Sequence, residues 1–208
     1  MKKRINGKLK QLKYIVSEIE QAAQLYKQIF VGKKYLFVFD GRFIEVVFRE
    51  DAFKHLVGVE STLPARRFYD LAIEHQLEAA QFYFSSRHPL DTYKKKMKHL
   101  KKLSQIFEKQ CYMLQDIHTN TASFSFGTTE GEFTLCFGKD KHHNPEYIIQ
   151  SLRNGDASKK AADKFIVTHI LAKPNNQMLY SEMVYTTAEQ LPDIVEEKIT
   201  PHIKDALM

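Results

Sequence analysis

The 208-residue sequence predicts an α+β fold: N-terminal helices and a β-hairpin, then an antiparallel sheet of about four to five strands with a C-terminal helix. Three observations carry this expectation. Apolar residues recur at helical spacing from Lys8 to Val31, Asp40-Gly41 separates two strand-like runs, and the hydrophobic period changes to alternation after Asp116. With 43% hydrophobic and 12% aromatic residues there is material for a core, and the chain reads as a single domain over residues 1–208 with helical flanks.

In the first element Leu9, Leu12, Val16, Ile19, Ala23, Tyr26 and Phe30 line one face of a long amphipathic helix. KYLFVF and RFIEVVF then flank Asp40-Gly41, the dipeptide of a type I′ hairpin, because both loop positions need positive φ. Glu50 and Asp51 suit the electropositive start of a short helix AFKHLV, and Gly58 suits its left-handed end. Pro64 opens a helix through Glu74. Tyr93, Met97, Leu100, Leu103 and Phe107 form the apolar stripe of a second long helix whose other face is lysine-rich. SFSFGTTEGEFTLCF reads as a hairpin, KDKHHNP as a loop, and EYIIQSLR, KFIVTHILAK and QMLYSEMVY as further strands. Ala188 to Leu207 reads as helical, interrupted before Pro201.

Charge is distributed unevenly. The formal net charge is +6, with Lys2, Lys3, Arg4, Lys8, Lys10 and Lys13 at the N-terminus and Lys94, Lys95, Lys96, Lys98, Lys101 and Lys102 in the second long helix. A one-sided basic surface suits an anionic partner. No apolar run approaches the roughly 18 residues of a membrane span, and the basic N-terminus is followed by no signal-peptide core, so the expectation is a cytoplasmic protein without membrane contact. Cys111 and Cys136, with no C-x-x-C pair, read as reduced core thiols.

His142 and His143 are adjacent, yet a zinc site needs three or four convergent ligands and no second pair stands at ligand spacing, so no metal and no other cofactor is expected. Glu196-x-Lys198 reads as surface charge pairing within one helix. No glycine-rich phosphate loop or nucleophile elbow occurs. What remains is a metal-free set: His55, Arg87, His88, Ser151, Arg153, Thr168 and His169, with Tyr69 close to the first of them in sequence. RNA is cleaved without metal when a base takes the 2′-hydroxyl proton, an acid protonates the leaving oxygen and a cation stabilises the crowded phosphate. Histidine, arginine and hydroxyl side chains supply those parts. Arg87, His88, Lys94, Lys95, Lys98, Lys101 and Lys102 are the candidates for holding RNA, the alternative being that the lysines form a solvated helix face.

Strand parity limits the set. Ser151 and Arg153 share a face, whereas Thr168 and His169 are consecutive and face opposite sides. His169 then shares its face with Phe165, Val167 and Leu171, as a packed core histidine would, and Thr168 shares its own with Ile166 and Ile170. The choice between them stays open.

The order of elements, with Phe53-Lys54-His55-Leu56-Val57-Gly58 after the hairpin and EFTLCFGKD and KFIVTHILAK late in the chain, resembles the fourth phage-type group of the barnase-EndoU-colicin-RelE-like nucleases. Members of that group carry an F-x-H-L-x-G motif after a similar strand pair. The resemblance covers roughly Leu12 to Tyr185 and implies helices followed by a small antiparallel sheet, carriage on a phage, plasmid or other mobile element, and metal-independent RNase activity. It places His55 at the motif histidine, Gly58 at the motif glycine and Thr168 at a hydroxyl of a late strand. His169 follows that threonine where an aromatic is usual.

The function expected is therefore a metal-independent endoribonuclease, with His55 as acid-base group, Arg153 as phosphate clamp, Ser151 and Thr168 as supporting hydroxyls and His169 as the alternative to Thr168. A rival of another class is a non-catalytic inhibitor that uses the same basic surface on a host ribonucleoprotein, for example an anti-CRISPR acting on a Cas9-guide complex. A DNA-binding accessory factor has no helix-turn-helix signature behind it.

Overall fold

The helical spacing at the start of the sequence becomes α1 (Lys2–Ile29), in a computed structural model that describes residues 2–140 and 144–205, with side chains from residue 10 onward. β1 (Lys33–Phe39) and β2 (Arg42–Val47) follow, joined by Asp40 and Gly41 at φ of 50° and 66°. Both loop residues thus take the left-handed conformation that a type I′ turn demands. Next come α2 (Phe53–Val57), β3 (Glu60–Ser61), α3 (Ala65–Ile73), β4 (Phe82–Tyr83) and α4 (Leu90–Leu100). The rest of the chain forms β5 (Tyr112–His118), β6 (Ser123–Thr129), β7 (Phe133–Lys139), β8 (Tyr147–Asn154), β9 (Asp163–Pro174) and β10 (Glu182–Thr186), then α5 (Asp193–Glu196) and α6 (Pro201–Asp205).

These elements make two units. One consists of α1 with residues 49–102, the other of residues 30–48 with the chain from Leu103 onward.

In the first unit α1 packs by a few long-range bonds as well as by its apolar stripe. Tyr93 donates to a Glu18 carboxylate oxygen at 3.1 Å, Gln24 to the Ile73 carbonyl at 2.8 Å and Tyr26 to the Arg49 carbonyl at 3.0 Å. The stripe expected to continue through Phe107 stops being α-helical at Leu100, and Leu103–Phe107 forms a tighter 3-10 turn.

The second unit corrects the expected sheet of four to five strands. Among the described residues there are ten strands, eight of them in one sheet ordered β1-β2-β8-β7-β6-β5-β9-β10, and β1 also pairs with β9. That extra pairing closes seven strands into a barrel, with β10 added beside β9. The hairpin expected to stand apart from the later sheet is the piece that closes it: β2 runs parallel to β8 through Val46↔Tyr147 and Val47↔Ile148, while β1 runs antiparallel to β9. Such pairings join residues a hundred or more positions apart, so local periodicity carries no trace of them. The expectation also lacked β5, in which Asp116 has φ of 50°, a left-handed residue that breaks plain alternation.

Aromatic rings fill the barrel. Tyr35, Phe37 and Phe39 point inward from β1, Phe37 lying 5.9 Å from Phe137 and Phe39 5.8 Å from Phe165. Phe30 stacks on Phe48 at 4.3 Å and Tyr35 on Phe107 at 5.2 Å. A barrel of this size has room for side chains rather than a channel, and large rings supply most of the buried apolar area. Outside the wall, Leu36, Val38 and Leu171 form a second cluster with Tyr180, Val195, Ile199 and Ile203.

That outer cluster explains the C-terminal correction. Tyr180 bridges Ile199 in parallel, with Tyr180 N–H donating to the Lys198 carbonyl at 2.8 Å and Thr200 N–H to the Tyr180 carbonyl at 3.0 Å. The chain between α5 and α6 is extended by these bonds, so the interruption expected before Pro201 is there, but the helical parts are shorter than expected: Asp193–Glu196, capped by Pro192, and Pro201–Asp205. Residues 206–208, and with them the expected end of the helix, lie outside the described residues. Cys111 and Cys136 are buried and form no disulfide with each other, and burial pushes the Cys111 thiol up to about 11. Among the described residues no helix is long and apolar enough to cross a membrane.

Candidate active site

The segment Phe53-Lys54-His55-Leu56-Val57-Gly58 divides cleanly by chemistry. Phe53, Leu56 and Val57 are buried, and His55 is exposed. Phe53 sits among Tyr26 at 5.6 Å, Tyr69 at 5.6 Å and Phe68 at 6.4 Å, which anchors α2 on α1 and α3. Tyr69 is therefore a packing residue beneath the helix. Gly58 ends α2 at φ of 77° and ψ of 43°, its N–H bonding to the Lys54 carbonyl, the left-handed cap that glycine adopts without steric penalty. The apolar anchors and the cap fix a short helix whose free face presents His55.

Gly58 has a second role. A Cβ at that position would lie 2.6 Å from Cδ of Lys96, because the Lys96 side chain crosses directly over the glycine. Lys96 Nζ then donates to the His55 carbonyl at 2.6 Å. Lys54, on the other side, donates to the Leu63 carbonyl at 3.2 Å. Partial burial holds the His55 imidazolium pKa below its ordinary value of 6.5, and the positive charges of Lys54 and Lys96, followed by His88, act in the same direction against a weaker opposing pull from Asp51. His55 is thus a neutral base at pH 7, inside a ring of cations.

His88, whose charge acts on His55, is positioned by β3, β4 and the turn after them. Glu60 and Tyr83 are paired across the two strands, as are Ser61 and Phe82. The Ser85 hydroxyl accepts the backbone N–H groups of Arg87 at 3.2 Å and His88 at 3.1 Å, a side-chain-closed turn that sets His88 back towards β3. Its Nδ1 meets Glu60 Oε1 at 2.8 Å. That hydrogen bond, with smaller help from the charges of His88, Arg87 and Lys54, holds the Glu60 carboxyl below the usual carboxylate range. An ionised carboxylate on Nδ1 fixes the ring and leaves Nε2 for other work.

The first unit therefore gathers His55, His88, Glu60, Lys54, Lys96 and Arg87. Of these His55, Arg87 and His88 were expected as site residues from the sequence. Glu60, Lys54 and Lys96 were not, and their signal was weak: Lys96 is one of many lysines, Lys54 a lone lysine in a short apolar helix, and Glu60 a lone acid two residues past a glycine. Along α4 and just past its end the lysines differ in what they do. Lys94, Lys95 and Lys98 are exposed, Lys101 is paired with Glu18, and Lys102 donates its backbone N–H to the His99 carbonyl at 2.9 Å.

The barrel unit holds the other expected residues. Ser151 stands opposite Cys136 on β8, half-buried. Arg153, two positions on, donates from Nη2 to Thr119 Oγ1 at 3.0 Å and Thr121 Oγ1 at 2.9 Å, with its guanidinium 5.4 Å above the Phe124 ring. Those bonds tie β8 to the β5–β6 turn. His169 has no exposed surface, its Nε2 at 3.1 Å from the Ala188 carbonyl and its Nδ1 at 3.0 Å from Thr168 Oγ1, and burial lowers its pKa. Neutral His169 thus donates from Nε2 and accepts at Nδ1.

The parity argument for Thr168 and His169 fails for a definite reason. Val38 pairs with His169 and Phe39 with Val167, so Thr168 is the extra residue of a β-bulge. Alternation reverses across it. Phe165 and Val167 go with Phe39 into the barrel, while His169 goes with Val38 and Leu171 to the outer cluster. The bulge also lets two consecutive side chains meet, which regular strand geometry forbids.

Among the described residues no three His, Cys, Asp or Glu side chains are grouped as a metal ion would need; His142 and His143 lie outside them. In comparisons with known proteins, one family model matches residues 18–189: phage-Barnase-EndoU-ColicinE5/D-RelE like nuclease4. No curated protein and no solved structure matches the chain.

Proposed function

We propose a specific activity from the premise that the chain belongs to the phage-Barnase-EndoU-ColicinE5/D-RelE like nuclease4 family: metal-independent endonucleolytic cleavage of RNA by His55 and His88. The observation that carries it is an exposed His55 with the Lys96 side chain bonded to its carbonyl, and His88 held on the Glu60 carboxylate at 2.8 Å, near enough for its charge to act on the His55 imidazole. His55 takes the proton of a ribose 2′-hydroxyl, and the 2′-oxygen attacks the adjacent phosphorus. The bond from phosphorus to the 5′-oxygen breaks, and protonated His88 gives its proton to that oxygen. The products are a 2′,3′-cyclic phosphate and a free 5′-hydroxyl. Lys54 and Lys96 supply positive charge to the pentavalent phosphorus, where the extra negative charge develops. Arg87 and the exposed lysines of α4 hold the flanking backbone.

In this scheme Arg153 orders a turn of the barrel and His169 packs its outer wall, so the chemistry rests on the first unit. The family match, over residues 18–189, runs through both units, which supports their working as one functional domain. The phage-type family supports carriage on a mobile element, and an RNA substrate supports action in the cytoplasm. The same match supports a nucleic-acid substrate and lends nothing to a Cas9-guide partner.

The test is incubation of purified protein with a structured RNA in EDTA, beside His55→Ala and His88→Ala. Positioned proton transfer is worth about 10²- to 10⁴-fold, so each variant should lose activity on that scale, and cleaved ends should carry the cyclic phosphate. Equal cleavage by wild type and both variants, or cleavage that EDTA abolishes, overturns the assignment.

A further inference from the structure

Tyr83 is the one exposed ring placed at the histidine pair. Among the described residues the exposed aromatic side chains are Tyr14, at 63%, and Tyr83, at 53%. Tyr14 lies on α1. Tyr83 lies on β4, directly across from Glu60, and directly opposed residues of an antiparallel pair project from the same face with their Cβ atoms about 5 Å apart. Glu60 holds His88. The ring of Tyr83 therefore flanks the Glu60–His88 pair.

Its position is enforced from below. Phe82, on the opposite face of β4, is 4% exposed and meets Phe84 at 6.3 Å, and Phe84 meets Tyr93 of α4 at 5.6 Å. The turn into β4 is closed by a reciprocal pair of bonds between Glu78 and Gln81, and the Ser61 hydroxyl donates to the Gln81 carbonyl at 2.6 Å. Alternation leaves Tyr83 no inward option. Its ring stands in water on a rigid two-strand ladder while its neighbours in sequence pay for the fold.

We infer that Tyr83 is a stacking platform for a base of single-stranded RNA, seating the nucleotide beside the phosphate that His55 and His88 act on. This rests on the cleavage site proposed above. Every base presents a π-face, so such a platform fixes a nucleotide without reading sequence, and cations around it hold the backbone. It also assigns a substrate form: an unpaired nucleotide, since a stacked base in a duplex has no free face to offer.

The sequence contains no tryptophan, so Tyr83→Trp places a single indole, which can be excited apart from the tyrosines, at the platform. The probe is a single-stranded 2′-O-methyl oligoribonucleotide, which binds but lacks the 2′-hydroxyl nucleophile. Its dissociation constant is measured for wild type, Tyr83→Ala, Tyr83→Phe and Tyr14→Ala, and its effect on the emission of Tyr83→Trp is recorded. Removal of one stacking ring should weaken binding about 5- to 100-fold in Tyr83→Ala, with Tyr83→Phe and Tyr14→Ala close to wild type and the indole emission of Tyr83→Trp quenched on saturation. Binding by Tyr83→Ala as tight as wild type, unchanged emission of the tryptophan variant at saturation, or no binding by wild type overturns the inference. These readouts need no turnover. Quenching without any RNA cleavage would overturn the His55 mechanism alone, and cleavage with unaltered Tyr83→Ala binding would overturn the platform alone.

Discussion

At the scale of single residues, the motif around His55 separates side chains that build from the one that reacts. Phe53 and Leu56 are buried and Gly58 is left-handed, so their identities follow from packing and backbone geometry, and the exposed histidine is what those constraints leave unexplained. The electrostatics of that histidine make a sign-definite prediction. As a general base it works only when neutral, so kcat/KM should rise with pH through the His55 pKa, which lies below 6.5. Lys54 and Lys96 both depress that pKa. Replacing Lys54 with Gln removes a positive charge, stabilises the imidazolium, and should move the acid limb of the profile to higher pH. Arg87 acts on Glu60 and is not among the main charges on His55, so Arg87→Gln should move the acid limb less than Lys54→Gln does. An acid limb that Lys54→Gln leaves unmoved would remove His55 from the role of base. Of the groups in the proposed site, His55 stood out in the sequence as an acid-base candidate, and Arg87 and His88 as residues for holding RNA. Glu60 did not, because its meaning comes only from a hydrogen bond to a residue 28 positions later.

At the scale of elements, legibility tracked sequence separation. The Asp40-Gly41 hairpin, the proline before α3 and the glycine after α2 are local, and each formed as its turn or cap chemistry requires. The bulge at Thr168 is set by the register of β9 against a strand 130 positions earlier in the chain, and it inverted which face His169 occupies. Parity can be read from sequence only while a strand stays regular. Gly58 offers a test of how one element couples to another. In Gly58→Ala the left-handed backbone should cost about 1–2 kcal/mol of stability, read by denaturant unfolding, and the new methyl group must also push aside the Lys96 stem. Gly58→Asn tolerates the same backbone better, so it should recover part of the stability while still displacing Lys96. Cleavage should fall in both variants. Full activity in Gly58→Asn would mean that the path of Lys96 over the glycine has no part in catalysis.

At the scale of the molecule, net charge and its placement govern how RNA is held, and here the sequence was informative in kind but not in detail. The excess of +6 and the lysine-rich helix suggested a phosphate-tracking surface with a solvated helix face as the rival. The structure divides the run. Lys96 is taken up at His55, Lys101 pairs with Glu18 and Lys102 is half-buried, which leaves Lys94, Lys95 and Lys98 as exposed cations for the backbone. These three do not touch the histidine pair in the proposed mechanism, so replacing them with Gln should weaken binding while leaving kcat nearly unchanged. Each contact with single-stranded RNA releases a fraction of a counterion, so losing three should reduce the slope of log affinity against log salt by about 2. Titrating a 2′-O-methyl oligoribonucleotide at several salt concentrations measures that slope for the wild type and the triple variant. If the two slopes coincide, the lysines are the solvated face after all, and the positive charge that holds RNA must be sought nearer His55.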